Sequence, residues 1–264
     1  MPVRTAEPDL VRLLRCISGR VKMRMELVVR FDYGSITPWV QRDEGGLTAV
    51  GGPDTLHLRT PVSLVGEDWT TVGDFEVAEG QQVPFVLTWH PSHLPPPPPI
   101  EAAAAVETTL EFWRNWTAQC TYEGEWREAV IRSLITLKAL TYAPTGGIVA
   151  APTTSLPEHI GGSRNWDYRY CWLRDSTFTL AALIQSGYIE EAASWRDWLL
   201  RAVAGRGAEL NIMYGVAGER RLPELELRWL PGYESSRPVR IGNGAYRQFQ
   251  LDVFGEVIDS LHLA

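Results

Sequence analysis

The chain has 264 residues, enough for two domains of ordinary size, and 45% of them are apolar, so it is long enough to bury a sizeable core. A formal net charge of −7 argues against a phosphate-binding surface, so we expect no nucleic-acid partner. No apolar run approaches the ~18 residues that a membrane span needs, so we expect no membrane partner either.

The first third of the chain alternates apolar and polar residues, which is the pattern of a half-buried strand. Over residues 21–32 every odd position is apolar, and Val28 is the one apolar residue at an even position. Shorter segments at 56–58, 72–77 and 83–89 continue the alternation between turn residues. These patterns predict an antiparallel β-domain.

Five consecutive prolines at 95–99 follow, and they predict a semi-rigid spacer of ~3 Å per residue. After them the apolar period becomes 3.6 residues, which predicts helices over 101–120, 123–142, 174–186, 188–204 and 243–264. Gly187 is expected to end the third of these helices. The irregular stretches 144–171 and 205–242 are long for a compact domain, so we expect them to serve a site.

The first candidate segment, Arg164–Ser176, reads RNWDYRYCWLRDS. A sugar ring stacks its C–H faces on Trp or Tyr, while a carboxylate and a guanidinium each bind two hydroxyls. The adjacent pair Arg174-Asp175 is therefore the best candidate for gripping a sugar. The alternative is that Asp175 or Ser176 caps the following helix and Arg174 forms a salt bridge. Cys171, without an evident activating base, is expected to be a small buried residue.

The second candidate segment, Gly232–Gln250, contains side chains that could line the same cleft: Tyr233, Arg237, Arg240 and Asn243. Its glycines would let the backbone approach a ligand closely. The alternative is a solvated basic loop in which Asn243 caps the last helix.

Metal and cofactor chemistry is not favoured by the remaining residues. The five histidines lack a metal-type spacing, and the glycine pairs form neither a phosphate loop nor a dinucleotide fingerprint. We therefore expect no metal and no cofactor. Three cysteines, an odd number without metal-type spacing, favour a reducing cytoplasm.

Four stretches resemble the bacterial branch of glycoside hydrolase family 15, the glucoamylase, glucodextranase and trehalase group: 147–157, 164–176, 211–219 and 232–256. The resemblance implies a β-sandwich followed by an (α/α)₆ toroid. It also implies inverting hydrolysis of terminal α-glucosidic bonds in maltooligosaccharides, α-glucans or trehalose. By this resemblance, Arg174 and Asp175 would bind the terminal glucose, Trp172 would lie at that pocket, and Arg237 would face the neighbouring subsite.

The same resemblance predicts that the chain is an N-terminal fragment. Residues 1–94 would be a partial β-sandwich, 95–122 a proline-rich linker with its helix, and 123–264 the first helices of a truncated catalytic domain. The family's catalytic acid and base are glutamates of later segments, so no catalytic residue is assigned, and the chain is expected to be inactive alone and to self-associate through exposed helix faces. Two alternatives stay open: a non-catalytic glucan-binding or regulatory fragment, and a toroid-type glycoside phosphorylase.

Overall fold

The structure is a computed structural model that describes residues 7–43, 45–205 and 209–263. These residues fall into two compact units, one ending at Arg114 and the other beginning at Asn115. Within the described ranges, no helix is both long enough and apolar enough to cross a membrane.

The first unit contains two antiparallel sheets, which confirms the predicted β-domain. The larger sheet has the strand order β1-β8-β5-β4-β3 and the smaller one has the order β2-β7-β6. The strands are β1 Asp9–Arg15, β2 Arg20–Leu27, β3 Trp39–Asp43, β4 Gly46–Gly51, β5 Asp54–Arg59, β6 Val65–Glu67, β7 Thr70–Ala78 and β8 Gln82–Pro91.

The apolar faces of the two sheets share one core. Buried Leu47 and Leu58 of the larger sheet pack in one cluster with Met25 of the smaller sheet, and the rings of Phe75 and Phe85 lie 5.8 Å apart across the gap. Strand β2 ends at Leu27 although the alternation runs on to Phe31. Beyond Leu27 the chain leaves the ladder, and Val29 and Phe31 pack in a second cluster with Ala49.

The helices are α1 Ala102–Ala118, α2 Arg127–Ala139, α3 Leu173–Gln185, α4 Ile189–Ala202 and α5 Asp252–Leu263. The first four match the predicted helices, and Gly187, with φ of 95°, follows the end of α3. The fifth differs, because a 3₁₀ turn at Gly244–Arg247 precedes α5 and Gln248 between them is extended. Three short ladders join the loops: β9 Thr141–Tyr142 with β10 Gly147–Ile148, β11 Cys171–Trp172 with β12 Met213–Tyr214, and β13 Leu225–Glu226 with β14 Arg240–Ile241.

The second unit contains an aromatic core and an ion pair whose carboxylate is buried. Trp195 and Trp198 of α4 are buried at its centre. Glu191 accepts a hydrogen bond from Trp116 Nε1 at 2.7 Å and lies 2.9 Å from Lys138 Nζ. Burial raises the pKa of Glu191, but its bonds to Lys138 and Trp116 outweigh burial, and the pKa is lowered overall. As an ionised carboxylate, Glu191 therefore links Trp116 to α2 and α4 within the second unit.

Candidate active site

The start of α3 presents three of the predicted site residues. Strand β11 pairs Cys171 with Tyr214 and Trp172 with Met213, and α3 follows at once. Cys171 and Leu173 are buried, which fixes the strand and the helix start, while Arg174 and Asp175 in the first turn are exposed. Asp175 does not cap α3, since Trp172 occupies the N-cap position and makes no side-chain cap. Buried residues thus anchor this turn, and Arg174 and Asp175 face solvent.

Arg174 is held loosely by two carboxylates. Its Nη2 lies 3.5 Å from Asp175 Oδ2, and its Nη1 lies 3.9 Å from Asp252 Oδ2 at the start of α5. Its guanidinium carbon is 6.0 Å from the centre of the Trp172 ring. Exposed pairs at these separations are weak. The guanidinium and the Asp175 carboxylate therefore keep most of their capacity to bind hydroxyls.

Trp172 lies between Arg174 and a second aromatic ring. The Tyr168 ring is 6.4 Å away and tilted by 46°. The indole N–H of Trp172 is buried and has no acceptor among the described residues. This N–H is the one polar group of the Trp172 side chain. The exposed part of Trp172 that a ligand could contact is therefore carbon surface. Carbon surface beside a charged pair can contact both the C–H face and the hydroxyls of a pyranose.

Two more predicted residues lie on an irregular turn at 232–237. Tyr233 and Arg237 are exposed, and in the described part of the chain Arg237 forms no hydrogen bond or ion pair. The turn passes through positive φ at Gly232, Glu234 and Ser235. A Cβ at position 232 would collide with the Ser236 carbonyl, so this position requires glycine.

Arg240 and Asn243, by contrast, bind mainly to protein atoms. Arg240 Nη1 donates to the carbonyls of Ser163 and Asn165, and its guanidinium lies 4.6 Å from the Trp166 ring centre. Its Nε is 3.2 Å from Glu224, an ionic contact without hydrogen-bond alignment. Asn243 accepts from the Ala245 N–H, so it caps the 3₁₀ turn rather than α5. Both residues brace the loops.

Asp167, which the sequence does not distinguish as a site residue, connects the two candidate segments. Its carboxylate is buried and accepts from Arg169 N, Nε and Nη2 at 2.7–3.1 Å. It also accepts from the Gly242 N–H at 3.1 Å, and the Asp167 carbonyl accepts from Asn243 Nδ2. One local signal existed: an extended backbone places residues i and i+2 on the same side, which brings Arg169 to Asp167.

A third segment, residues 154–161, is fastened to the second. Ser155 Oγ accepts from the Arg240 N–H at 2.7 Å, and Thr154 Oγ1 donates to the Arg240 carbonyl at 2.6 Å. Ser236 is buried, and its Oγ accepts from the Gly161 N–H. All three segments are therefore joined by hydrogen bonds into one frame. Trp172, Arg174 and Asp175 lie on its first segment, and Tyr233 and Arg237 lie on its second.

Metal ligands are not clustered in this frame. Across the described ranges no three His, Cys, Asp or Glu residues lie close enough together to hold an ion. Cys171 is buried, as expected, and burial raises the pKa of its thiol to about 12.

Comparison with known proteins identifies the chain's family. The family model described as Glycosyl hydrolases family 15 matches residues 124–264, more than half of the chain. The chain belongs to this family. The resemblance seen in the sequence is thereby confirmed. The match covers every predicted site residue and does not include the β-sheets of the first unit.

Curated relatives of this family 15 chain carry the name trehalase. The trehalase of Mycolicibacterium smegmatis is 42% identical over 270 residues, which cover 98% of this chain and 40% of the relative. Trehalase 2 of Sulfolobus acidocaldarius is 41% identical, with 96% and 45% covered, and the trehalase of Thermoplasma acidophilum is 33% identical, with 97% and 44% covered. The chain thus spans less than half the length of these relatives.

Proposed function

We propose that this chain supplies the glucose-binding part of a glycoside hydrolase that acts on trehalose. The observation that carries the proposal is the half-exposed Arg174-Asp175 pair beside Trp172 at the start of α3. The family match and the three trehalases support hydrolase chemistry and this substrate. Asp175 would accept from two neighbouring hydroxyls of one glucose while Arg174 donates to its hydroxyl oxygens.

The other predicted residues take different parts in this proposal. Tyr233 and Arg237, both exposed, would contact the second glucose unit. Arg240 and Asn243 would keep the second segment in position, because their polar atoms already bind Ser163, Asn165, Glu224 and Asp167. The helices α2–α5 would form the first part of an (α/α)₆ toroid in the whole protein. A cytoplasmic location is proposed from the three unpaired cysteines.

The chemical step would use carboxyls from the rest of the whole protein. Inversion needs a protonated carboxyl at the leaving oxygen and a carboxylate about 6.5–9.5 Å away that activates water. In this chain Asp167 is saturated by Arg169 and Gly242, and Glu191 is ionised beside Lys138. Neither of these two buried carboxylates is available as the acid or the base, and we propose that the chain alone binds trehalose without turning it over.

The test measures trehalose hydrolysis by the whole protein with substitutions at the pair. Asp175→Asn should lower kcat/KM by ~10²-fold, since two charge-assisted hydrogen bonds to the sugar are lost. A matched control exists on α4, where Arg196 and Asp197 form a similar adjacent pair at 3.6 Å. Asp197→Asn should leave kcat/KM unchanged, and an equal loss in both variants would refute the assignment.

The products separate the rival activities. Water attack with inversion on trehalose releases one β-glucose, and the leaving unit departs as α-glucose, so early ¹H NMR spectra should show both in equal amounts. Dependence on inorganic phosphate with release of glucose phosphate would instead establish a phosphorylase. Trehalose binding by the whole protein without any turnover would establish a binding or regulatory protein.

A further inference from the structure

The first unit has a cleft between the edges of its two sheets. Strand β3 is one of the two edge strands of the larger sheet, and β6 is one of the two edge strands of the smaller sheet. The cleft has a volume of about 490 Å³, within the range of small-molecule sites. Its polar and aromatic lining includes Arg30, Trp39, Gln41, Asp68, Trp69 and Thr70.

Two tryptophans line this cleft and remain in solvent. Trp39 is 81% exposed and Trp69 is 79% exposed, whereas the next most exposed described tryptophans, Trp126 and Trp229, are 66% and 56% exposed. Tryptophan is a residue that folding normally buries. The two most exposed indoles of the described chain therefore share one cleft, which is the arrangement of a binding surface rather than of scattered apolar residues.

The chain holds Trp69 in a conformation that a tryptophan rarely adopts. Asp68 and Trp69 form the two-residue turn between Glu67 and Thr70, with φ of 43° and 62°. Turns of this hand favour Asn or Gly at these positions. Arg30 Nη1 donates to the Trp69 carbonyl at 3.3 Å and so fastens the turn. Trp69 thus combines a strained backbone with a ring that makes little contact with the rest of the chain. This combination is typical of a residue that contacts a ligand.

We propose that this cleft binds a neutral saccharide, with pyranose rings lying against Trp39 and Trp69. The charges of Arg30 and Asp68 cancel, which disfavours an ionic ligand. Gln41 and Thr70 add neutral groups that both donate and accept. Strand β3, being an edge, also directs part of its backbone N–H and C=O groups away from β4. Apolar faces with a rim of mixed donors and acceptors match a sugar.

A peptide strand added to β3 is the competing occupant, and the structure favours it less. Strand β3 has five residues and follows Pro38, so it offers a short edge. Strand addition would use backbone atoms, and it would not explain two exposed indoles at the same cleft. The saccharide site lies outside residues 124–264 and does not depend on the hydrolase assignment.

The test is a titration of the 264-residue chain, labelled with 5-fluorotryptophan, with maltoheptaose and trehalose. The ¹⁹F resonances of Trp39 and Trp69, assigned through Trp39→Phe and Trp69→Phe, should shift with one or both sugars while that of Trp126 does not. Trp69→Ala should raise the dissociation constant by ~10-fold or more, because a whole stacking face is lost. Trp126→Ala is the matched control and should leave it unchanged.

Other results would overturn the proposal. Resonances of Trp39 and Trp69 that do not move up to 50 mM sugar, in a chain whose thermal unfolding is cooperative, would show that the cleft binds no saccharide. Self-association that Trp69→Ala abolishes would assign the cleft to a second copy. Asp175→Ala should leave these shifts intact, which separates this site from the one proposed on α3.

Discussion

The carboxylate of Asp167 accepts a hydrogen bond from the backbone N–H of Gly242, 75 residues further along the chain. The same carboxylate pairs with Arg169. Asp167→Asn removes a buried charge and places amide N–H groups opposite those of Arg169 and Gly242. We expect the free energy of unfolding to fall by about 3 kcal/mol, measured by urea denaturation. Asp197→Asn, at a carboxylate that is 61% exposed, should change it by less than ~0.5 kcal/mol.

Glu191 should give the protein part of its sensitivity to acid. Burial opposes ionisation, but Lys138 and Trp116 lower the pKa below its ordinary value of 4.5. A lowered folded-state pKa gives stability that is fully present above pH 4.5 and is lost as the pH falls through the folded-state value. Glu191→Gln should therefore flatten the pH dependence of the unfolding free energy as the pH falls below 4.5. Glu190 is adjacent and exposed, so Glu190→Gln should leave the pH dependence of the unfolding free energy almost unchanged. Equal flattening in both variants would contradict this account.

Cys171 should resist alkylation in the folded protein. Burial, with a smaller contribution from Glu219, raises the pKa of its thiol from 9.0 to about 12. At pH 8 only ~10⁻⁴ of the thiol would be thiolate, the form that reacts. We expect iodoacetamide to label Cys171 in urea and not in buffer, as read by peptide mass spectrometry.

The raised thiol pKa also sets a pH window for stability. A folded-state pKa above the unfolded value gives stability that is complete below pH 9 and decreases as the pH rises towards 12. Cys171→Ala should remove this part of the alkaline decrease, measured as the difference in unfolding free energy from the parent chain at each pH. An identical alkaline slope in the two proteins would argue against burial as the cause.

Gly232→Ala should destabilise the turn that carries Tyr233. The position has φ of 74°, and an added Cβ would meet the Ser236 carbonyl. We expect a loss of about 1–3 kcal/mol in the free energy of unfolding, from backbone strain and steric overlap together. Gly255→Ala is the contrasting control, because position 255 lies within α5 with open space around it. That substitution should stabilise the protein by up to about 1 kcal/mol.

The sequence predicted those parts of the fold that depend on local patterns. Alternation located β2, and the 3.6-residue period located α1 to α4, because each reflects which side of a single element is buried. The start of α5 was misplaced, since no residue between Arg247 and Asp252 is a strong helix breaker and the interruption at Gln248 comes from an extended backbone. The spacing of apolar residues along the sequence does not indicate this interruption of the helix.

The site was predictable to a smaller extent. Composition drew attention to Arg174 and Asp175 because charged residues beside Trp172 stand out in one segment. The bracing of Arg240 and the burial of Asp167 depend in part on partners 75 or more residues away, Ser163 for Arg240 and Gly242 for Asp167. A single sequence does not reveal those pairings, so a residue that binds sugar and a residue that holds a loop look alike in it.

Sharing one carboxylate has a consequence for how this protein can diversify. Arg169 and Gly242 belong to different loops, yet both bonds converge on Asp167. A substitution that displaces one loop therefore also shifts the Asp167 carboxylate, which accepts a hydrogen bond from the other loop. The effects on stability of substitutions in the two loops will not be additive. Under the proposed function, a change of sugar specificity would have to alter both loops together, or be confined to side chains that do not contact Asp167.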